Sequence, residues 1–139
     1  MTPIDFATQL LTLLSKPVTP NNTQALVAAQ CIEGGWMHNA ALFNPLNTTL
    51  RAPGSTSITS VGVQAYTSLE QGLQATADTL TNGLYTGILD ALAADADPDV
   101  TLRAMAVSPW GWYDPANPST RYPIARASAY QSYGSHAFP

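Results

Sequence analysis

Between Asp5 and Glu70 the chain carries one carboxylate, Glu33, and it stands where a helix should end: after the apolar run Ala25–Ile32 and directly before Gly34, Gly35 and Trp36. A helix C-terminus presents carbonyl oxygens and a partial negative charge, which disfavours an ionised acid by about 0.3–1 kcal/mol. Burial against Ile32 and Trp36 would disfavour the charged form further. Both effects keep a proton on the acid near neutral pH, and a protonated carboxyl in an apolar pocket is what general-acid attack on a glycosidic oxygen requires. A solvated helix-end residue without a chemical role fits the same position. A second group of residues suited to such a site is aromatic. Trp36 follows the double glycine, and Trp110, Trp112 and Tyr113 crowd into the Pro-bounded stretch Ser108–Pro115. Aromatic faces stack on sugar rings and fill cleft walls, although Trp110 also suits a place packed beneath a site.

These residues must be positioned by helices. Thr2-Pro3 reads as an N-cap followed by Pro at the first helical position, and Ile4, Phe6, Ala7, Leu10, Leu11 and Leu14 recur at helical spacing, which predicts a helix over 3–15. Thr19-Pro20 repeats the start signal and Gly34-Gly35 the stop, so a second helix ends at Ile32 or Glu33. From Trp36 to Pro53 the periodicity fades into a loop, and Ile58, Val61 and Val63 mark a small β-hairpin or irregular β segment. Thr67 with Glu70 has capping-box spacing for a third helix over 68–81. Asn82-Gly83 breaks it before a short fourth helix with Tyr85, Ile88, Leu89 and Leu92 on its core face. Asp97-Pro98 opens a fifth helix, and a last short one is expected around 123–132. The fold class is therefore mainly α, in the α+β sense of one minor β element.

Composition narrows the function classes. At 139 residues the chain is most simply one domain, 1–139. Charged residues make up 10% of it, against a usual figure of about 25%, and the net charge is −4. The basic residues Lys16, Arg51, Arg103, Arg121 and Arg126 are scattered, so nothing forms the stripe that follows a phosphate backbone, and nucleic acid is not an expected partner. A surface of hydroxyls and amides is compatible with a neutral polar ligand such as a carbohydrate. No apolar run approaches the ~18 residues of a membrane span, and the first residues lack the basic flank of a signal peptide. One cysteine, Cys31, makes neither an internal disulfide nor a zinc framework, and His38 and His136 lie too far apart to argue for a metal. No phosphate loop or dinucleotide fingerprint is present, so no cofactor is expected.

Several segments together resemble the lysozyme-like peptidoglycan hydrolases, in particular the small modules of phages and prophages of actinobacteria. They are Pro17-Val-Thr-Pro20, Ala29-Gln-Cys-Ile-Glu33-Gly-Gly35, Phe43-Asn-Pro-Leu-Asn-Thr-Thr49, Val61-Gly-Val-Gln-Ala-Tyr66, Gln71-Gly-Leu-Gln-Ala-Thr76, Thr79-Leu-Thr-Asn-Gly-Leu-Tyr85 and Ser108-Pro-Trp-Gly111. The resemblance implies a lysozyme-like helical domain with a small β-hairpin beside a sugar cleft. It further implies that Glu33 is the proton donor that cleaves the β-1,4 bond between N-acetylmuramic acid and N-acetylglucosamine. Asn44 and Asn47 match the segment shaping the cleft floor, and Gln64 and Tyr66 match cleft-lining positions, where a satisfied polar edge is the equal alternative. Thr48, 15 positions beyond Glu33, matches the spacing of a water-positioning Thr, with Thr49 beside it. Trp36 and Trp110 would border the same cleft.

One departure from that family shapes the mechanism. Phage-type lysozymes carry an Asp between the acid and the Thr, whereas the stretch from Gly34 to Leu69 holds no acid at all. A two-carboxylate scheme would need Glu70, Asp78 or Asp114 to fold into the cleft. Otherwise three routes remain: a lytic transglycosylase in which one Glu serves as acid and then base, assistance by the substrate's N-acetyl group, or a water held on Thr48 or Thr49. The partner implied is the peptidoglycan glycan strand. The chain would be a monomer or a module of a larger phage protein, made without a signal peptide to act on the wall, or carried on the virion. The missing acid equally suits a non-catalytic wall-binding or structural module of a phage virion.

Overall fold

A computed structural model describes residues 1–34, 40–110 and 127–137. It is mainly helical with one small antiparallel sheet. The elements are α1 (Pro3–Leu13), α2 (Pro20–Ile32), β1 (Thr56–Ser57), β2 (Gln64–Ala65), α3 (Leu69–Leu80), α4 (Thr86–Ala93), α5 (Pro98–Ala106) and a C-terminal 3-10 helix (Ala127–Ser135). None of the described helices is long and apolar enough to cross a membrane.

The starts of α1 and α2 follow from their Thr-Pro pairs. Thr2 Oγ1 accepts from the Asp5 amide at 3.1 Å while the Thr2 amide donates back to Asp5 Oδ2 at 2.9 Å, so two donors at the helix start are satisfied reciprocally. Thr19 caps α2 by accepting from the Asn22 amide. Helix α1 stops at Leu13, earlier than its pattern predicts, because Ser15 turns into the left-handed region at φ 54°. Helix α3 starts one residue later than its spacing suggests. Ser68, not Thr67, is the N-cap, accepting from the Gln71 amide, and the Gln71 side chain reaches back to the amide and hydroxyl of Thr67.

Helix α2 is the centre of the molecule. Six consecutive residues, Ala25 to Gln30, are buried, as expected of a helix covered on every side. It packs against α1, α5 and the 3-10 helix. Side-chain amides tie both of its ends: Asn22 donates to the carbonyls of Pro17 and Leu92 at 2.8 Å each, and the fully buried Gln30 donates to Pro3 at 2.9 Å. Gly134 lets the 3-10 helix sit on this layer, since a Cβ there would lie 2.9 Å from Ile4 and 3.3 Å from Val27. Of the last helix expected around 123–132, residues 123–126 lie outside the described residues, and the rest takes 3-10 geometry.

The β element is smaller than its β-branched residues suggest. Thr56 pairs with Ala65 and Ser57 with Gln64. Ile58 and Val63 add one further backbone bond at 2.8 Å before Gly62 turns the chain at φ 92°. Val61, at 77% exposure, stands at the tip, where no second layer covers it.

Candidate functional site

Glu33 is the C-cap of α2, half-buried, with its amide still bonded to the Ala29 carbonyl at 3.0 Å. Gly34 follows at φ 67°, a left-handed conformation that glycine adopts without strain, and so the chain leaves the helix immediately after the acid. The residue that meets it is Asn47. Its side-chain amide donates to Glu33 Oε2 at 2.8 Å and to the Glu33 carbonyl at 3.2 Å. Asn47 thus closes an orphan carbonyl at the end of α2 and holds the carboxyl with the same group. Its own backbone is left-handed at φ 54°, a conformation Asn tolerates better than most residues, in a turn where its amide bonds Asn44 O at 3.1 Å.

Behind Asn47 lies a buried polar scaffold. Asn44, wholly inaccessible, donates to the carbonyls of Thr48 and Gln64 at 2.8 Å each and accepts from the Thr48 amide at 2.9 Å. The Thr48 hydroxyl, 3.1 Å from Asn44 Oδ1 and 2.9 Å from the Tyr66 phenol oxygen, is buried between them. Tyr66 in turn donates to the Leu50 carbonyl at 2.6 Å. Burial pushes the Tyr66 phenol up from its ordinary pKa, with the Thr48 hydrogen bond opposing that shift. Gln64 is buried too: its amide donates to Ser57 Oγ and Gly62 O, and its carbonyl accepts from Ser55 Oγ, all at 2.7 Å. Gly72 seats this loop on α3, because a Cβ there would fall 1.9 Å from Phe43 O.

The predicted site residues therefore divide. Glu33 and Asn47 meet directly. Asn44, Thr48, Gln64 and Tyr66 form one connected network, but their polar groups are turned inward onto the loop and the hairpin rather than outward to a ligand. Thr48 in particular does not face the Glu33 carboxyl, because the turn at Asn47 sends the next side chain under the loop to Asn44. Thr49 is exposed. Trp110 is half-buried against the core, its ring 5.3 Å from that of Tyr85 and tilted by 54°, at the junction of α4 and α5. Trp36, Trp112, Tyr113 and Asp114 lie outside the described residues.

Other described carboxylates are engaged by, or lie beside, different residues. Asp95 accepts from Thr19 Oγ1 at 2.6 Å, at the opposite end of α2, about 20 Å along the helix from Glu33. Asp97 caps α5, and Asp99 accepts from the Ala127 amide at 2.7 Å. Asp5 is held in its capping box, Glu70 lines a hollow with Gln9, Thr12 and Leu13 of α1, and Asp78 lines another with Arg51. Among the described residues no group of three His, Cys, Asp or Glu side chains could hold a metal ion. Two features of the site were not anticipated from the sequence: the serines Ser55 and Ser57 that lock Gln64, and the Leu50 carbonyl that anchors Tyr66. Their partners are brought together only by the fold of the loop. The chain matches none of the protein-family models, curated proteins or solved structures with which it was compared.

Proposed function

We propose that this chain cleaves the β-1,4 glycan strand of peptidoglycan between N-acetylmuramic acid and N-acetylglucosamine, with Glu33 as the general acid, on a lysozyme-like arrangement of helices and hairpin. The observation that carries this reading is the contact between Asn47 Nδ2 and Glu33 Oε2 at 2.8 Å. An amide N–H is only a donor, so Oε2 accepts from it, and in the proposed acid form the transferable proton sits on Oε1. The buried network of Asn44, Thr48 and Tyr66 supports Asn47 from below, which is the kind of supporting shell that keeps a catalytic group in place.

Of the single-carboxylate routes, acid-then-base transglycosylation fits this partner best. Glu33 protonates the O4 leaving group as the C1–O4 bond breaks. The resulting carboxylate then takes the proton of the muramic acid 6-hydroxyl as O6 bonds to C1, closing an anhydro ring without consuming water. A neutral amide donor can bond both the acid and the carboxylate; it favours the carboxylate, but less than a cationic partner would. Assistance by the substrate's N-acetyl group uses the same acid. Hydrolysis through a water held on Thr48 has less support, because that hydroxyl is engaged by Asn44 and Tyr66. One observation favours the alternative of a non-catalytic wall-binding module of a virion: the polar groups of Asn44, Thr48 and Gln64 are spent on internal bonds.

Mass spectrometry of purified peptidoglycan after incubation separates these readings. Anhydro-muropeptides are expected, and Glu33→Gln should lower their rate of formation by about 10²- to 10⁴-fold without unfolding the chain. Reducing N-acetylmuramic ends would mean hydrolysis, and reducing N-acetylglucosamine ends a different bond. Absence of any product would leave the binding module.

A further inference from the structure

The loop beyond Asn47 carries charge that this chemistry leaves unused. Leu50, Arg51 and Pro53 face Gln71, Gln74 and Asp78 of α3 across a hollow of about 330 Å³. Arg51 is the sole lysine or arginine between Lys16 and Arg103, and it is exposed, with no hydrogen bond or ion pair to any described residue. Asp78, on the opposite wall, accepts from Gln74 Nε2 at 2.8 Å and makes no ion pair with Arg51. The hollow thus holds one cation and one anion apart, each on its own wall.

The rim between them is held rigidly. Gln71 donates to the Pro53 carbonyl at 2.8 Å and accepts from the amide and hydroxyl of Thr67, so its amide is committed to the rim. The Leu50 carbonyl is anchored on the buried Tyr66. Arg51 also lies only four residues beyond Asn47, which holds Glu33, so the Cα atoms of Asn47 and Arg51 lie within about 14 Å of each other. A short oligosaccharide spans that distance.

A peptidoglycan strand carries peptides on alternate sugars, and those peptides bring both carboxylate and ammonium groups. We propose that the hollow between Arg51 and Asp78 is a subsite for the peptide borne by the glycan strand, with its carboxylate on the Arg51 guanidinium and its ammonium at Asp78. This assignment rests on the glycan-cleaving reading of Glu33 and extends it to the substrate's side branch. A guanidinium matches a carboxylate with two parallel donors, and a charge-assisted pair of this kind on a fixed rim contributes more than a neutral hydrogen bond.

The test uses the Glu33→Gln protein, so that the ligand stays intact, and two probes: a glycan tetrasaccharide carrying diamino-acid peptides, and the same tetrasaccharide stripped of peptides by an amidase. Calorimetric titration should show Arg51→Gln and Asp78→Asn each weakening the peptide-bearing probe by about tenfold and leaving the stripped probe unchanged. Arg51→Lys should retain part of the affinity. Both sites are exposed, so melting temperatures should match the parent. Unchanged affinity for both probes in both variants would remove the subsite while leaving the glycan reading intact. A loss confined to the stripped probe would assign Arg51 to the sugar's own lactyl carboxylate and overturn the peptide assignment. Failure of the parent to bind either probe would overturn the subsite together with the glycan reading.

Discussion

At the residue scale the site depends on Asn47, whose side chain does two things that a substitution can separate from its backbone. The amide holds both the carboxyl and the carbonyl of Glu33, and the backbone sits at φ 54°. Glycine accepts that φ without strain, whereas an alanine there costs about 1–2 kcal/mol. Asn47→Gly and Asn47→Ala should therefore share one catalytic defect, of about 10²-fold if the amide positions the acid. The alanine variant alone should be further destabilised, by about 1 kcal/mol relative to the glycine variant. Parallel kcat measurements and urea titrations check this. A native kcat in Asn47→Gly would mean that the amide only caps α2.

At the element scale two glycines predict opposite tolerances. A Cβ at Gly72 would meet the backbone oxygen of Phe43 at 1.9 Å, and neither α3 nor the loop strapped to it can yield without losing hydrogen bonds. Gly72→Ala should cost more than about 2 kcal/mol, at the severe end of overpacking, and loosen the loop that carries Asn47. At Gly134 the nearest atoms are the flexible end of Ile4, at 2.9 and 3.0 Å, so Gly134→Ala should cost less. Equal melting temperatures for the two variants would contradict this ranking. The start of α1 predicts a pH dependence. The Thr2 backbone amide, followed by the Thr2 hydroxyl, holds the Asp5 carboxyl below its ordinary value. A carboxylate depressed in the folded state contributes stability that is fully present above its unfolded pKa of about 3.9 and is lost as pH falls through the lower folded value. The stability difference between the native chain and Asp5→Asn should therefore be constant at neutral pH and shrink below about pH 4. Acid denaturation curves of the two would show it, and a difference that persists unchanged at pH 2 would refute it.

At the scale of the whole molecule, protection should decline outward from α2. Its residues Ala25 to Gln30 are buried by three neighbouring elements, while the hairpin tip has two backbone bonds beyond its two-residue strands, Ile58 to Val63 and Gly62 to Thr59, and an uncovered Val61. Native-state hydrogen exchange should find the α2 amides opening only with global unfolding and the amides of 59–63 opening locally at far lower free energy. Tip amides as protected as those of α2 would mean that the hairpin is covered in solution.

The helical punctuation is legible in the residues themselves. Thr-Pro pairs, the Asp97 cap and Gly34 are local signals, acting within one turn through a side-chain oxygen, a fixed φ or a missing Cβ, so the starts of α1, α2 and α5 and the end of α2 at Glu33 follow from them. What lies between Ala40 and Thr67 was decided by tertiary structure. The inward turn of Thr48, the burial of Asn44 and Gln64, and the clasp of Asn47 on Glu33 all depend on hydrogen bonds between residues from 4 to 20 positions apart. Asn, Gln, Thr and Tyr bond as readily to a ligand as to a backbone carbonyl, so their spacing alone does not say which way they face. The same limit applies to the charges: Arg51 and Asp78 become opposite walls of one hollow only because Gly72 lets the loop lie directly on α3.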